Sequence, residues 1–175
     1  MTSVHSCEVP PNSLLGKYRD GIGFADCYFT EVAGTVPQAA FVEAFYTSSL
    51  FKLERTILTH LASRPATDAD ARLLATGAAD RFSAWRVEGQ SCSELLLADF
   101  TGRTRSWLMA SPVTGSSRAA GMRLYFGSAV LPRRANGQTR KRGMGWLFHA
   151  LLGFHKLYSR LLLRAATRRV RPSRE

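Results

Sequence analysis

The spacing of apolar residues changes at Phe82, and this change limits the fold more than any other feature of the chain. Before it, the apolar residues of QAAFVEAF and TSSLFKLERTILTHLA return every three or four positions, the period of a helix. After it they return every second position, the period of a strand. Four stretches carry that shorter period: FSAWRVE, SCSELLLADF, RTRSWLMAS and AGMRLYFGSAVL. Gly89-Gln90 and Thr101-Gly102 suit two-residue hairpins, and the longer PVTGSSRA joins the last two stretches. Consecutive hairpins imply an antiparallel meander.

Upstream, residues 1 to 24 are rich in Pro, Gly and Ser and read as an arm laid on the surface. ADCYFTEVAG, residues 25 to 34, alternates sides as a strand does and ends at Gly34. Thr35 and Pro37 suit the start of a helix that presents Phe41, Ala44 and Phe45 at helical spacing. A second helix begins near Thr47, Ser48 or Ser49, with Leu50, Leu53, Ile57, Leu58 and Leu61 as its apolar stripe. Thr67 with Asp68 and Asp70 opens a short third, which Gly77 ends.

With both hairpins tight, Trp85 faces Glu94, Glu94 faces Met109, Val87 faces Cys92, Leu96 faces Trp107 and Ala98 faces Arg105. One sheet face then holds Trp85, Val87, Cys92, Glu94, Leu96, Arg105, Trp107 and Met109. The other carries Arg86, Glu88, Ser93, Asp99, Thr104 and Ser106 with Leu95, Leu97 and Leu108 among them. A carboxylate between Trp85 and Met109 costs several kcal/mol to bury alone, so Glu94 needs a partner, a raised pKa or solvent. An ion pair with Arg105 is one reading; a ligand-binding or acid/base role is the other.

GWLFHALLGFHKLYSRLLLRAATRRVRPSRE, residues 145 to 175, is half apolar and half basic. Residues 133 to 175 hold twelve Lys and Arg and one acid, Glu175, which accounts for the whole formal charge of +11. Residues 1 to 132 are neutral. His149, His155, Lys156, Arg160 and Arg164 interrupt the apolar run, so it does not suit a membrane span. On a helical wheel Leu147, Ala150, Leu151, Phe154, Leu157, Tyr158, Leu161, Leu162 and Ala165 form one broad face. His149 falls on the basic face. His155 falls at the apolar margin, as a core-edge histidine or one pointing into a pocket.

Cys7, Cys27 and Cys92 are odd in number and lack CxxC spacing, and the first 30 residues have no charged start followed by an apolar run. A reducing, cytoplasmic setting is expected. The four histidines, His5, His60, His149 and His155, are scattered, so no metal site is read from them. There is no Gly-rich phosphate loop after a strand and no GxSxG elbow, so neither a nucleotide cofactor nor an α/β-hydrolase nucleophile is expected.

A strand, a helical pair, an antiparallel run and a long amphipathic terminal helix follow the order of the helix-grip fold. The chain resembles the START-like superfamily, which includes Bet v 1-like and polyketide cyclase-like proteins. FVEAFYTSSLFKLERTIL, WRVEG, WLMASP, LYFGSAVLP and FHKLYSRLLLRAA are similar to segments of an uncharacterised bacterial family within it. The resemblance covers residues 25 to 166, leaving an arm, 1–24, and a basic tail, 167–175. It implies an α+β fold whose curved antiparallel sheet grips the terminal helix, with an apolar ligand held between them. The superfamily has about six strands after the helices, against four legible here. The implied pocket is lined by Trp85, Glu94, Leu96, Arg105, Trp107, Met109, Tyr125, Phe154, His155 and Tyr158.

Three functions follow as expectations. The first is a module that binds a hydrophobic or aromatic small molecule. The second is a cyclase- or hydrolase-like enzyme using Glu94, with His155 and Tyr158 as further candidates. The third is a peripheral protein whose basic end docks on an anionic membrane or nucleic acid, although no specific nucleic-acid motif is present.

Overall fold

The computed structural model describes residues 3–21, 23–62, 65–113, 121–131 and 146–170. Its framework is a seven-stranded antiparallel sheet: β1 (His5–Cys7), β2 (Phe24–Ala33), β3 (Arg81–Phe82), β4 (Trp85–Gln90), β5 (Glu94–Asp99), β6 (Thr104–Pro112) and β7 (Gly121–Val130). The strands lie side by side in the order β1-β2-β7-β6-β5-β4-β3. Between β2 and β3 come α1 (Gln38–Tyr46), α2 (Ser49–Ala62) and α3 (Asp68–Ala75); α4 (Trp146–Arg169) follows β7. The terminal helix packs on β2, β7, α1 and α2, which makes this the α+β, helix-grip arrangement.

Local chemistry sets the element ends. Ser48 Oγ accepts from Phe51 N at 3.3 Å at the start of α2. The start of α3 is a reciprocal cap: Asp70 N donates to Thr67 Oγ1 at 3.2 Å, and Thr67 N donates to Asp70 Oδ2 at 2.7 Å. Two further strands, β1 and β3, extend the five legible in the sequence. They are only three and two residues long, too short to show a period.

The sheet has a buried layer on each face. Against its inner face α1, α3 and α4 pack Phe41, Phe45, Tyr46, Leu74, Leu163 and Ala166 onto Leu95, Leu97, Leu108, Leu124 and Phe126. Against its outer face Val9 and Leu15 pack onto Cys27, Leu96, Trp107 and Ala129. The arm is therefore part of the fold. It crosses the outer face with a 3₁₀ turn, Gly16–Tyr18, and buries Leu15 completely.

The second hairpin has the expected register: Glu94 lies opposite Met109, Leu96 opposite Trp107 and Ala98 opposite Arg105. The first hairpin does not. Trp85 lies opposite Asp99 and Val87 opposite Leu97, not opposite Glu94 and Cys92. Its chain reverses at Ser91, whose hydroxyl accepts from Ser93 N and Glu94 N at 3.3 and 3.1 Å, and the ladder slips between Val87 and Gly89. The partners of Trp85 and Val87 are displaced by five residues, and any odd displacement exchanges sheet faces. Trp85 and Val87 thus join the inner core, while Leu96 and Trp107 join the outer one.

The far end of α4 also departs from expectation. The helix continues to Arg169, and Val170 N donates to Ala166 O at 3.1 Å while its side chain packs into the inner core. Residues 167 to 170 thus belong to the folded body.

Candidate functional site

Three polar residues stand side by side across the inner face. Asp26 on β2 pairs with Ser128 on β7, which pairs with Ser106 on β6. Ser128 Oγ donates to Asp26 Oδ1 at 2.6 Å, and Tyr46 OH on α1 lies 3.2 Å from Ser106 Oγ. Ser106, Ser128 and Tyr46 are buried, and the next pairs along the same face are apolar: Phe126 stands between Tyr28 and Leu108. This row is the polar seam of an otherwise oily layer.

Beside it, burial first and then the Asp26 carboxylate push the Tyr28 hydroxyl up to about 12, with Arg160 opposing them. The Arg160 guanidinium sits 5.3 Å from the centre of the Tyr28 ring, which brings α4 over this part of β2. One position earlier, Ser159 is completely buried, and its Oγ has no hydrogen-bond partner among the described residues. Leu162, Leu163 and Ala166, three, four and seven positions on, continue the same buried face of α4. A buried orphan hydroxyl is costly, by about 1–3 kcal/mol, unless something else accepts or donates.

Chemically, the seam offers hydroxyl donors and a carboxylate acceptor. A carboxylate is far too weak a base to deprotonate a serine at neutral pH unaided, and no imidazole stands between Asp26 and Ser128 among the described residues. The arrangement suits holding a polar group more than activating one. No group of three His, Cys, Asp or Glu side chains among the described residues could hold a metal ion.

The structure divides the residues that the sequence grouped as one pocket. Trp85 and Tyr158 pack at the inner core. Leu96, Trp107, Met109 and Tyr125 belong to the outer core, under the arm and away from α4. Phe154 and His155 lie within α4, but their side chains fall outside the described residues, as does that of His149. Trp85 also lines a recess of about 360 Å³ at the end of the sheet, together with Arg81, Arg86, Asp99 and Phe100.

Glu94 and Arg105 do not meet as a pair. Glu94 Oε2 accepts from Trp107 Nε1 and from Leu14 N, each at 2.7 Å, so it pins the arm to the sheet. Arg105 Nε instead lies 2.6 Å from Glu88 Oε2, and Glu88 also receives Lys17 Nζ at 2.6 Å and the Tyr18 hydroxyl. Burial works to raise the Glu88 pKa, but Lys17, Tyr18 and Arg105 outweigh it and hold this carboxyl below its ordinary value. These groups form a latch for the arm.

Asp26, Ser106, Ser128, Tyr46 and Ser159 were not singled out from the sequence. Each is a small or amphipathic residue with an ordinary surface reading, and only strand register brings three of them into one line. Compared with protein-family models, curated proteins and solved structures, the chain matches none.

Proposed function

We propose that the protein is a binding module of START-like type that holds an apolar or aromatic small molecule with one polar end between the sheet and α4. The observation that carries this reading is the Asp26–Ser128–Ser106 seam, with the buried Ser159 hydroxyl, unpartnered among the described residues, on the covering helix. A few convergent polar groups within apolar walls are the usual make-up of a small-molecule site. The order of strand, helices, meander and terminal helix supports the same reading.

Native mass spectrometry of gently purified protein tests it. The expected result is a co-purifying apolar compound, lost in Asp26→Asn or Ser159→Leu variants that keep the wild-type circular dichroism. Protein that is free of any adduct, and takes up none when incubated with a panel of fatty acids, terpenes and polycyclic phenols, rejects it.

A second reading rests on a different observation. Arg160, Arg164, Arg168 and Arg169 are exposed along α4, and Leu157 and Leu161 are exposed beside them at 57% and 41%. Basic residues near an anionic bilayer contribute about 1 kcal/mol each, and exposed leucines among them suit the interfacial region. No described helix is long and apolar enough to cross a membrane. Flotation with phosphatidylglycerol vesicles at low and high salt tests this reading: salt-sensitive binding lost in Arg160→Glu/Arg164→Glu supports it, and unchanged flotation removes it.

A further inference from the structure

Cys7 and Cys27 are direct partners in the β1–β2 ladder, and their Sγ atoms are 3.2 Å apart. Both are free thiols; Cys7 is half-buried and Cys27 is buried. Directly opposed residues of an antiparallel pair have their Cβ atoms about 4.5–5.5 Å apart and on the same side of the sheet, close to what a disulfide requires. Closing this one needs movement of about 1 Å between the sulfurs, given a bond length of about 2.05 Å. β1, a three-residue edge strand, is the element able to supply that movement.

The two thiols differ in a useful way. The bond shared with Cys27 lowers the Cys7 pKa most, and burial opposes it, while the Arg123 guanidinium lowers it further. Cys27 is raised, first by that same bond and then by burial and the Cys7 and Asp26 charges. Of the two, Cys7 is the thiol whose deprotonation is favoured, and it is also the more accessible sulfur. Cys92, exposed on the turn before β5, has no such partner and serves as an internal reference.

We propose that Cys7 and Cys27 are a redox modification site that a hydroperoxide closes to a cross-strand disulfide. The Cys7 thiolate attacks the distal oxygen of the hydroperoxide, breaking the O–O bond, giving a Cys7 sulfenic acid and releasing hydroxide or alkoxide, which takes up a proton. Cys27 loses its proton, its thiolate attacks the Cys7 Sγ, the S–S bond forms and the sulfenic oxygen leaves as water. Two thiols are oxidised by two electrons and one peroxide is reduced. The product ties β1 to β2 and so fastens the start of the arm whose next residues, Val9, Leu14 and Leu15, cover the outer face.

The test treats the full-length protein and Cys92→Ser with stoichiometric hydrogen peroxide, followed by denaturation, alkylation, intact mass and peptide mapping. The expected result in both proteins is a mass lower by two hydrogens, loss of the Cys7 and Cys27 thiols together, and recovery of both with dithiothreitol. Cys27→Ser/Cys92→Ser then accumulates oxygen on Cys7, without a cross-link. Limited proteolysis should cleave residues 8 to 23 severalfold more slowly in the oxidised form. The proposal is overturned if Cys7 advances to sulfinic acid while Cys27 remains alkylatable. It is equally overturned if Cys92 oxidises first and leaves the pair reduced, or if the bond forms no faster in folded protein than in denaturant.

Discussion

The two faces of the sheet carry comparable apolar side chains but are closed by different physics. The inner face is covered by helices that bring an aromatic cluster: Phe45 alone has ring contacts with Phe41, Tyr46, Phe51 and Phe126. That cover is broad and non-directional, and it rests on area removed from water. The outer face is covered by a thin arm with few apolar anchors, so directed bonds fix its position: Glu94 to Leu14 N and Trp107 Nε1, and Glu88 to Lys17, Tyr18 and Arg105. A thick cover tolerates local error, whereas a thin one depends on single atoms.

Substitutions can break that contrast one face at a time. The largest effect is expected from Phe45→Ala, about 3–5 kcal/mol of stability, lost cooperatively in urea unfolding. Gly127→Ala should cost about 2–3 kcal/mol, because a Cβ there meets Leu15 Cδ2 at 2.6 Å, Trp107 Cε3 at 2.9 Å and Asp26 O at 3.0 Å. Hydrogen exchange should show the arm loosening before the helices do. Glu94→Ala should cost about 1–2 kcal/mol by leaving the Trp107 indole unpaired, and Glu94→Gln less, since an amide oxygen still accepts. A red-shifted or more quenchable tryptophan emission is the accompanying sign.

The smallest effect is a response to acid. The Glu88 carboxyl is held below its ordinary value in the folded protein, so its contribution is present above the unfolded value of about 4.3 and is lost as pH falls through the lower folded value. Exchange of the Leu14 and Leu15 amides, taken relative to the intrinsic rate at each pH, should therefore quicken below about pH 4 in the wild type. Glu88→Gln should quicken it at neutral pH and flatten the pH dependence; an unaltered acid profile in that variant would separate the latch from Glu88.

How far this was legible in the sequence follows from the same contrast. Periodicity and caps placed β2, α1, the start of α2 and α3, and the tight Thr101-Gly102 turn set the register of the second hairpin. Periodicity could not tell which side of the meander meets the helices. Leu95, Leu97 and Leu108 alternate with Leu96, Trp107 and Met109, so both faces are apolar, and the aromatic one was assigned to α4. The arm that covers it holds Val9, Leu14 and Leu15 among Pro, Gly and Ser, too sparse for any period. Glu94 reads in the sequence as a carboxylate that needs a partner, a raised pKa or solvent; its partners are a backbone amide and an indole, neither of which a charge pattern reveals. The inner seam escaped for a further reason: Asp26, Ser106 and Ser128 lie in three different strands, more than 20 residues apart, and only the register aligns them.

The shortness of β1 and β3 governs how the molecule behaves among its copies. An unpaired strand edge is a template for another chain, and here the outermost strands are only three and two residues long, with β1 covering Cys27–Phe29 of its neighbour. Behind β1 lies β2, ten residues long. Removing residues 1 to 8 would free Cys27–Phe29 at the middle of that edge, so the deleted protein should lose solubility at concentrations where the intact chain stays monodisperse. The arm, besides closing one face of the fold, interrupts the middle of the edge along which the sheet could grow.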